Sequence, residues 1–125
     1  MDQVSKPVVL VVEDEEIVRE IVCLDLADAG FEVLEARTGD EAFRLLTDRA
    51  SADPIRILFT DIRMPGKLDG WDLAEKARDL SPELGVVYAS GHVTVPERAV
   101  PGSIFLTKPY RTAKLLESLK RLNQL

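Results

Sequence analysis

Five short apolar runs punctuate this chain at residues 8–12, 31–36, 55–60, 86–89 and 104–106, and that rhythm limits the fold more than any other feature. Between the runs the apolar positions fall at helical spacing instead. Ile17, Ile21 and Leu24 mark one stripe, and Ala42, Leu45, Leu46 and Ala50 mark a second. Leu73, Ala74, Ala77 and Leu80 mark a third, and Leu115, Leu116, Leu119 and Leu122 a fourth. Gly30 suits the left-handed residue that closes the first helix, while Thr38 or Asp40 supplies an N-cap for the second. The segment from Thr94 to Val100 is weaker, because Pro96 and Pro101 bracket it and leave room for one or two helical turns. Strand and helix thus alternate five times. Nearly uninterrupted apolar strands between amphipathic helices predict a parallel sheet covered on both faces. With right-handed crossovers the product is an α/β, doubly wound, three-layer sandwich. No linker or break in composition interrupts the 125 residues, which predicts a single domain over residues 1–125.

A formal charge of −6 and a pI near 4.8 repel phosphate backbones, which argues against direct nucleic-acid binding. Arg111, Lys114, Lys120 and Arg121 gather late, spread along the last helix as a solvated face. The single cysteine, Cys23, excludes a disulfide within the chain and a cysteine-pair zinc site. With Ile21, Val22 and Leu24 beside it, Cys23 is expected to be a buried, inert thiol. His92 is the only histidine, so a histidine-based metal site is not expected. The longest apolar run is too short to span a bilayer and the N-terminus lacks a secretory pattern, which predicts a cytoplasmic protein without membrane contact.

In open parallel sheets, ligands bind beyond the carboxyl ends of the strands, where strand order reverses. The first run leads straight into Glu13-Asp14-Glu15-Glu16, and the third ends at Thr60-Asp61. The fourth ends at Ser90-Gly91-His92 and the fifth at Thr107-Lys108-Pro109. Singly, each has a plain explanation. Acidic residues before a helix complement its dipole, Asp61 reads as a turn or cap residue, and Lys108 and Ser90 read as surface groups. The combination points elsewhere. If the first and third strands are neighbours, roughly 4.8 Å apart, their carboxylates converge on one edge and repel unless a cation joins them. An all-oxygen donor set favours Mg²⁺ over zinc or copper. A lysine and a hydroxyl at the same edge supply partners for a phosphoryl oxygen, which completes the outline of a phosphoryl-transfer site.

The residues that carry this outline also carry a resemblance. The pieces are Val11-Val12-Glu13-Asp14-Glu15, Phe59-Thr60-Asp61-Ile62-Arg63-Met64-Pro65, Asp69-Gly70, Tyr88-Ala89-Ser90-Gly91 and Phe105-Leu106-Thr107-Lys108-Pro109-Tyr110. In that order, the chain resembles a response-regulator receiver domain of two-component signalling from Val8 to Leu122. The resemblance implies a flavodoxin-like sandwich with strand order 2-1-3-4-5. It implies a signalling phosphoacceptor in a two-component or phosphorelay system, not an enzyme acting on other substrates. Asp61 would take a phosphoryl group from a phosphohistidine on a sensor histidine kinase or histidine phosphotransfer protein. Glu13, Asp14, Asp61 and the backbone carbonyl of Arg63 would hold Mg²⁺. Lys108 would pair with the phosphoryl oxygens, and Ser90 would donate a hydrogen bond and move toward them. Phe105 would be the switch aromatic that turns inward when Ser90 moves, and the Lys108–Pro109 peptide would be cis. Arg63 and His92 would occupy the two positions that tune phosphate lifetime. Output would pass to a downstream protein target, or to a phosphorylation-dependent dimer, through the fourth helix, fifth strand and fifth helix.

Some features depart from the family pattern. Ser90 stands where threonine is commoner, and Phe105 replaces an equally familiar tyrosine. The stretch at residues 65–70 is one residue longer than usual and is expected to reshape the loop beside Asp61. Pro96 and Pro101 shorten the fourth helix. Other readings give different expectations. A stand-alone regulator and a receiver module of a hybrid kinase share the same site. A degenerate receiver is opposed by the intact Asp14, Asp61 and Lys108. A metal-dependent phosphatase would need an acid where Arg63 stands and a cap domain for which the chain has no room. A flavin or nucleotide carrier would need a glycine- or hydroxyl-rich phosphate loop where Glu13 to Glu16 stand.

Overall fold

In the computed structural model, which describes residues 6–50, 53–91 and 96–123, the apolar run VVLVV forms β1 (Val8–Val12) with every residue buried. A β-branched strand hidden on both faces needs layers above and below, and the chain supplies them. The further strands are β2 (Glu32–Ala36), β3 (Ile57–Asp61), β4 (Gly85–Ser90) and β5 (Ile104–Thr107). The α-helices among the described residues are α1 (Glu16–Asp28), α2 (Gly39–Asp48), α3 (Gly70–Leu80) and α4 (Thr112–Asn123). All strand pairs are parallel, in the order β2-β1-β3-β4-β5 that the resemblance implied. β2 lies at an edge, and only Ala36 of its five residues is buried.

Two apolar clusters lie on the two faces of the sheet. On one, Leu10, Val12, Leu58 and Tyr88 meet Ala42 and Leu46 of α2 and Leu73, Ala74 and Ala77 of α3. On the other, Val9, Val11, Ile57 and Phe59 meet Val22 and Leu26 of α1 and Leu115, Leu119 and Leu122 of α4. Helices therefore cover both faces, as the strand–helix alternation predicts. Because β1 pairs with β2 on one side and β3 on the other, the chain reverses direction across the sheet between β1 and β3.

Local chemistry sets the helix ends. Gly30 has φ of +101°, and the Gly30 and Phe31 amides donate to the carbonyls of Ala27 and Leu26, closing α1 with a left-handed cap. Thr38, not Asp40, caps α2, its hydroxyl accepting from the Glu41 amide at 3.1 Å. At the start of α3, Asp69 and Asp72 form a reciprocal capping box. Gly70 follows, and a Cβ there would stand 2.4 Å from the Asp61 carbonyl oxygen and 2.7 Å from Ile62 Cα. This close approach folds the loop after β3 back against the end of that strand, with the Gly70 amide donating to the Ile62 carbonyl at 2.7 Å.

One expected helix stripe, that of α1, faces the wrong way, and the stripes of α2 and α3 each lose only their last residue to solvent. Ile17, Ile21 and Leu24 are 72%, 55% and 66% exposed, so the expected stripe of α1 faces outward. Helix α1 carries apolar residues on more than one side, and Val22 and Leu26, with Val18 beside them, form the side that meets the sheet. Leu80 and Ala50 are exposed as well, one at the last turn of α3 and the other beyond α2. Cys23 is half-buried rather than buried, yet burial, reinforced by Glu35, still pushes its thiol up to about 11.

The expected short segment before β5 is one 3₁₀ turn at Pro96–Arg98 among the described residues. Arg98 ties it to Asp72 at 2.9 Å and Glu75 at 2.8 Å of α3, and the Val100 amide donates to the buried Tyr88 hydroxyl at 3.1 Å. No helix among the described residues is long and apolar enough to cross a membrane.

Candidate functional site

β1 stops at Val12, and the next residues form the loop into α1. Glu13 is 6% exposed, while Asp14 points out of the core as an exposed residue. Asp61 is the last residue of β3, on the strand beside β1. Carboxylate oxygens of Glu13, Asp14 and Asp61 all lie within 4.8 Å of one another. The convergence expected from neighbouring strands is therefore present at the reversal point of the sheet.

Lys108, just past β5, reaches across the sheet edge into this cluster. Its Nζ donates to Asp61 Oδ2 and to Glu13 Oε1, each at 3.1 Å. The other Asp61 oxygen accepts from the Ile62 amide at 2.9 Å, and Glu13 Oε2 accepts from the Glu15 amide at 3.1 Å. Burial raises the carboxyl groups of Asp61 and Glu13 above their ordinary range, although Lys108 pulls both back. Burial also works against the charge on Lys108, but its contacts with Glu13 and Asp61 prevail and hold its ammonium above the ordinary value. Lys108 and the two carboxylates thus each favour the charged form of the other, an effect that prevails at Lys108 and is outweighed by burial at Asp61 and Glu13.

Ser90 ends β4 and is buried, its carbonyl accepting from the Lys108 amide at 2.8 Å. In register Ser90 lies opposite Thr107, and Asp61 lies opposite Ala89, so Ser90 and Asp61 end adjacent strands. Phe105 is half-buried against the cluster that holds Trp71 and Tyr88. The Lys108–Pro109 peptide is cis. Arg63 is exposed on the loop after β3. His92 lies outside the described residues.

The donor set matches the chemistry of a magnesium ion, which prefers oxygen ligands in octahedral array. Three oxygens bound to one octahedral ion at about 2.1 Å stand roughly 3–4 Å apart. The three carboxylates bring oxygens within 4.8 Å of one another, near enough for small side-chain rotations to close on one ion. The donors are all oxygen, and the Lys108 ammonium already sits on two of them. The residues fit.

One residue at this edge escapes the sequence reading. Arg19 of α1 is 5% exposed, and its guanidinium donates to the Glu13 carbonyl at 2.9 Å and to Glu35 at 3.0 Å. Its phase was the available signal, because it sits three and seven residues before the buried Val22 and Leu26.

The family profile described as the response regulator receiver domain matches residues 9–120. The chain is 28% identical over 118 residues to the response regulator receiver protein CpdR of Brucella abortus, covering 91% of this chain and 94% of that protein. A solved response regulator receiver protein from Sinorhizobium medicae is 34% identical, with a TM-score of 0.89 and 95% of both chains covered. The receiver domain of the hybrid histidine kinase CckA is 36% identical, with a TM-score of 0.79 over 92% of this chain and 97% of that one. Other relatives are longer, and the chain spans 24% and 49% of two of them. With strand order, acidic rim and profile in agreement, this chain belongs to the response regulator receiver domain family.

Proposed function

We propose that the chain is a phosphoacceptor switch in which Asp61 takes a phosphoryl group from a phosphohistidine of a sensor histidine kinase or phosphotransfer protein. The observation that carries this reading is the Asp61 carboxylate at the end of β3, clustered with Glu13 and Asp14 and held 3.1 Å from Lys108 Nζ. In the transfer, an Asp61 oxygen forms the new O–P bond as the N–P bond of the donor breaks, and the departing imidazole keeps the electron pair. Glu13, Asp14, Asp61 and the Arg63 carbonyl would hold Mg²⁺, which when bound offsets the charge of the carboxylates and of the incoming phosphoryl oxygens.

Lys108 leaves its contacts with Asp61 and Glu13 to pair with the phosphoryl oxygens. Ser90, ending the adjacent strand, donates its hydroxyl to the same group and draws the end of β4 with it. Phe105 then turns inward, and the changed surface around β5 binds the downstream protein. Arg63 and His92 tune the lifetime of the phosphorylated state by restricting the attack of water, so replacing either alters the dephosphorylation rate. The added charge of nearly two units in an already acidic pocket keeps the acyl phosphate short-lived.

Intact-mass measurement after incubation with a small phosphodonor and Mg²⁺ tests this. The expected result is one added phosphoryl group, absent in Asp61→Asn and absent when EDTA precedes the donor. Steady consumption of donor without an adduct would point to a phosphatase, and no adduct with several donors to a degenerate receiver.

A further inference from the structure

An arginine as buried as Arg19 is rare, because its charged guanidinium must find partners that replace water. Here the partners are specific. Nη1 donates to the Glu13 carbonyl and Nε to Glu35 Oε1, while the Arg19 amide donates to the Glu15 carbonyl at 2.9 Å. Glu35 belongs to β2 and lies opposite Val11 of β1. One side chain on α1 therefore pins the turn out of β1 to the neighbouring strand, from the side opposite Lys108.

We infer that Arg19 is a positioning residue for the acidic rim: it fixes the peptide between Glu13 and Asp14 and so aims both carboxylates at the Asp61 edge. Every polar group of Glu13 is held. Its amide donates to the Ala36 carbonyl at 3.1 Å, its carbonyl accepts from Arg19, and its two carboxylate oxygens accept from Lys108 and from the Glu15 amide. Of these four anchors only Arg19 acts on the plane shared with Asp14. The Glu13 carbonyl and the Asp14 amide belong to one rigid peptide unit, so rotation of that unit moves the Asp14 side chain with it. Asp14 is exposed, and among the described residues no hydrogen bond to its carboxylate holds its direction. The backbone has to do so.

The guanidinium suits this task better than an ammonium would. Its planar fork reaches two acceptors in fixed directions, whereas a lysine is a rotatable point charge. Its hydrogen bonds go to a carbonyl and to Glu35, not to the three rim carboxylates, so it leaves their oxygens available for a cation. Groups one step behind metal-binding side chains act in this way, and their loss typically costs about 10–100-fold in metal affinity.

This inference rests on the proposed binding of Mg²⁺ at Glu13, Asp14 and Asp61, and the experiment separates the two. Mg²⁺ is titrated calorimetrically into the wild-type chain, Arg19→Gln, Arg19→Lys and Glu35→Gln, and urea midpoints are taken in EDTA. Arg19→Gln is expected to weaken Mg²⁺ binding about tenfold, Arg19→Lys to recover part of that loss, and Glu35→Gln to weaken binding about two- to threefold. A purely structural arginine would lower the urea midpoint and leave the Kd of the folded protein unchanged, and that result would overturn the inference. Should Arg19→Gln fail to fold, Glu35→Gln decides alone, because Glu35 is half-exposed and outside the rim. Absence of Mg²⁺ binding by the wild-type chain would instead defeat the proposed function.

Discussion

At Asp61 two effects compete. Burial favours the protonated carboxyl, Lys108 favours the carboxylate, and burial prevails, so its pKa stands above the ordinary 3.8. Glu13 behaves alike, above its ordinary 4.5. Both groups hold protons more tightly in the folded chain than in the unfolded one. Their contribution to stability is fully present below the ordinary values and is lost as pH rises through the raised folded values. Lys108 acts at the other end of the scale, since its stabilising contribution persists through neutrality and is lost only as pH rises past its ordinary 10.5 and through its raised folded value. In EDTA at neutral pH, Asp61→Asn should therefore melt a few degrees higher than the wild type, with a flatter dependence of Tm on pH in the acid range. Calorimetry at several pH values checks this, and a lower Tm for Asp61→Asn at neutral pH would show that Lys108 outweighs burial.

Among the elements, α1 is the one whose orientation the residue pattern mispredicts. Ile17, Ile21 and Leu24 satisfy helical spacing as well as Val18, Val22 and Leu26 do, so periodicity alone cannot choose the face that meets the sheet. Packing chooses, because Leu26 is fully buried and Ile21 is not. Leu26→Ala should cost about 2–5 kcal/mol, whereas Ile21→Lys should stay within about 0.5 kcal/mol. Urea unfolding of the two variants distinguishes the faces, and a large loss for Ile21→Lys would contradict the packing described. The same ambiguity hid Arg19, which occupies the buried phase but was masked by the expectation that charged side chains face solvent. The strands were easier to read. Their apolar runs match the observed elements within two residues at each end, with β3, β4 and β5 each running one residue further, to Asp61, Ser90 and Thr107.

For the molecule as a whole, the legible part was what hydrophobic alternation and strand-end chemistry dictate: the layered sheet, and the placement of Glu13, Asp14, Asp61, Ser90 and Lys108 at one edge. The half-exposure of Cys23 and the outward turn of Leu80 depend on how helices settle on the sheet, which local sequence does not encode. Under the proposed metal binding, Mg²⁺ should also stabilise the entire fold. A ligand at 100 times its Kd adds about 2.7 kcal/mol if it binds only the folded chain. The urea midpoint should rise with Mg²⁺ in the wild type and stay constant in an Asp14→Ala, Asp61→Asn double variant, and equal shifts in both would place the ion elsewhere.

The position of β1 between β2 and β3 also bears on how the chain is made. The first strand of this sheet to be synthesised is an inner one, and both its neighbours are complete once residue 61 has been added. A three-stranded platform with α1 and α2 can therefore form on the nascent chain, after which β4 and β5 extend it outward in the order of synthesis. Each later strand finds its docking edge already built, which spares the growing polypeptide a wait for partners encoded downstream.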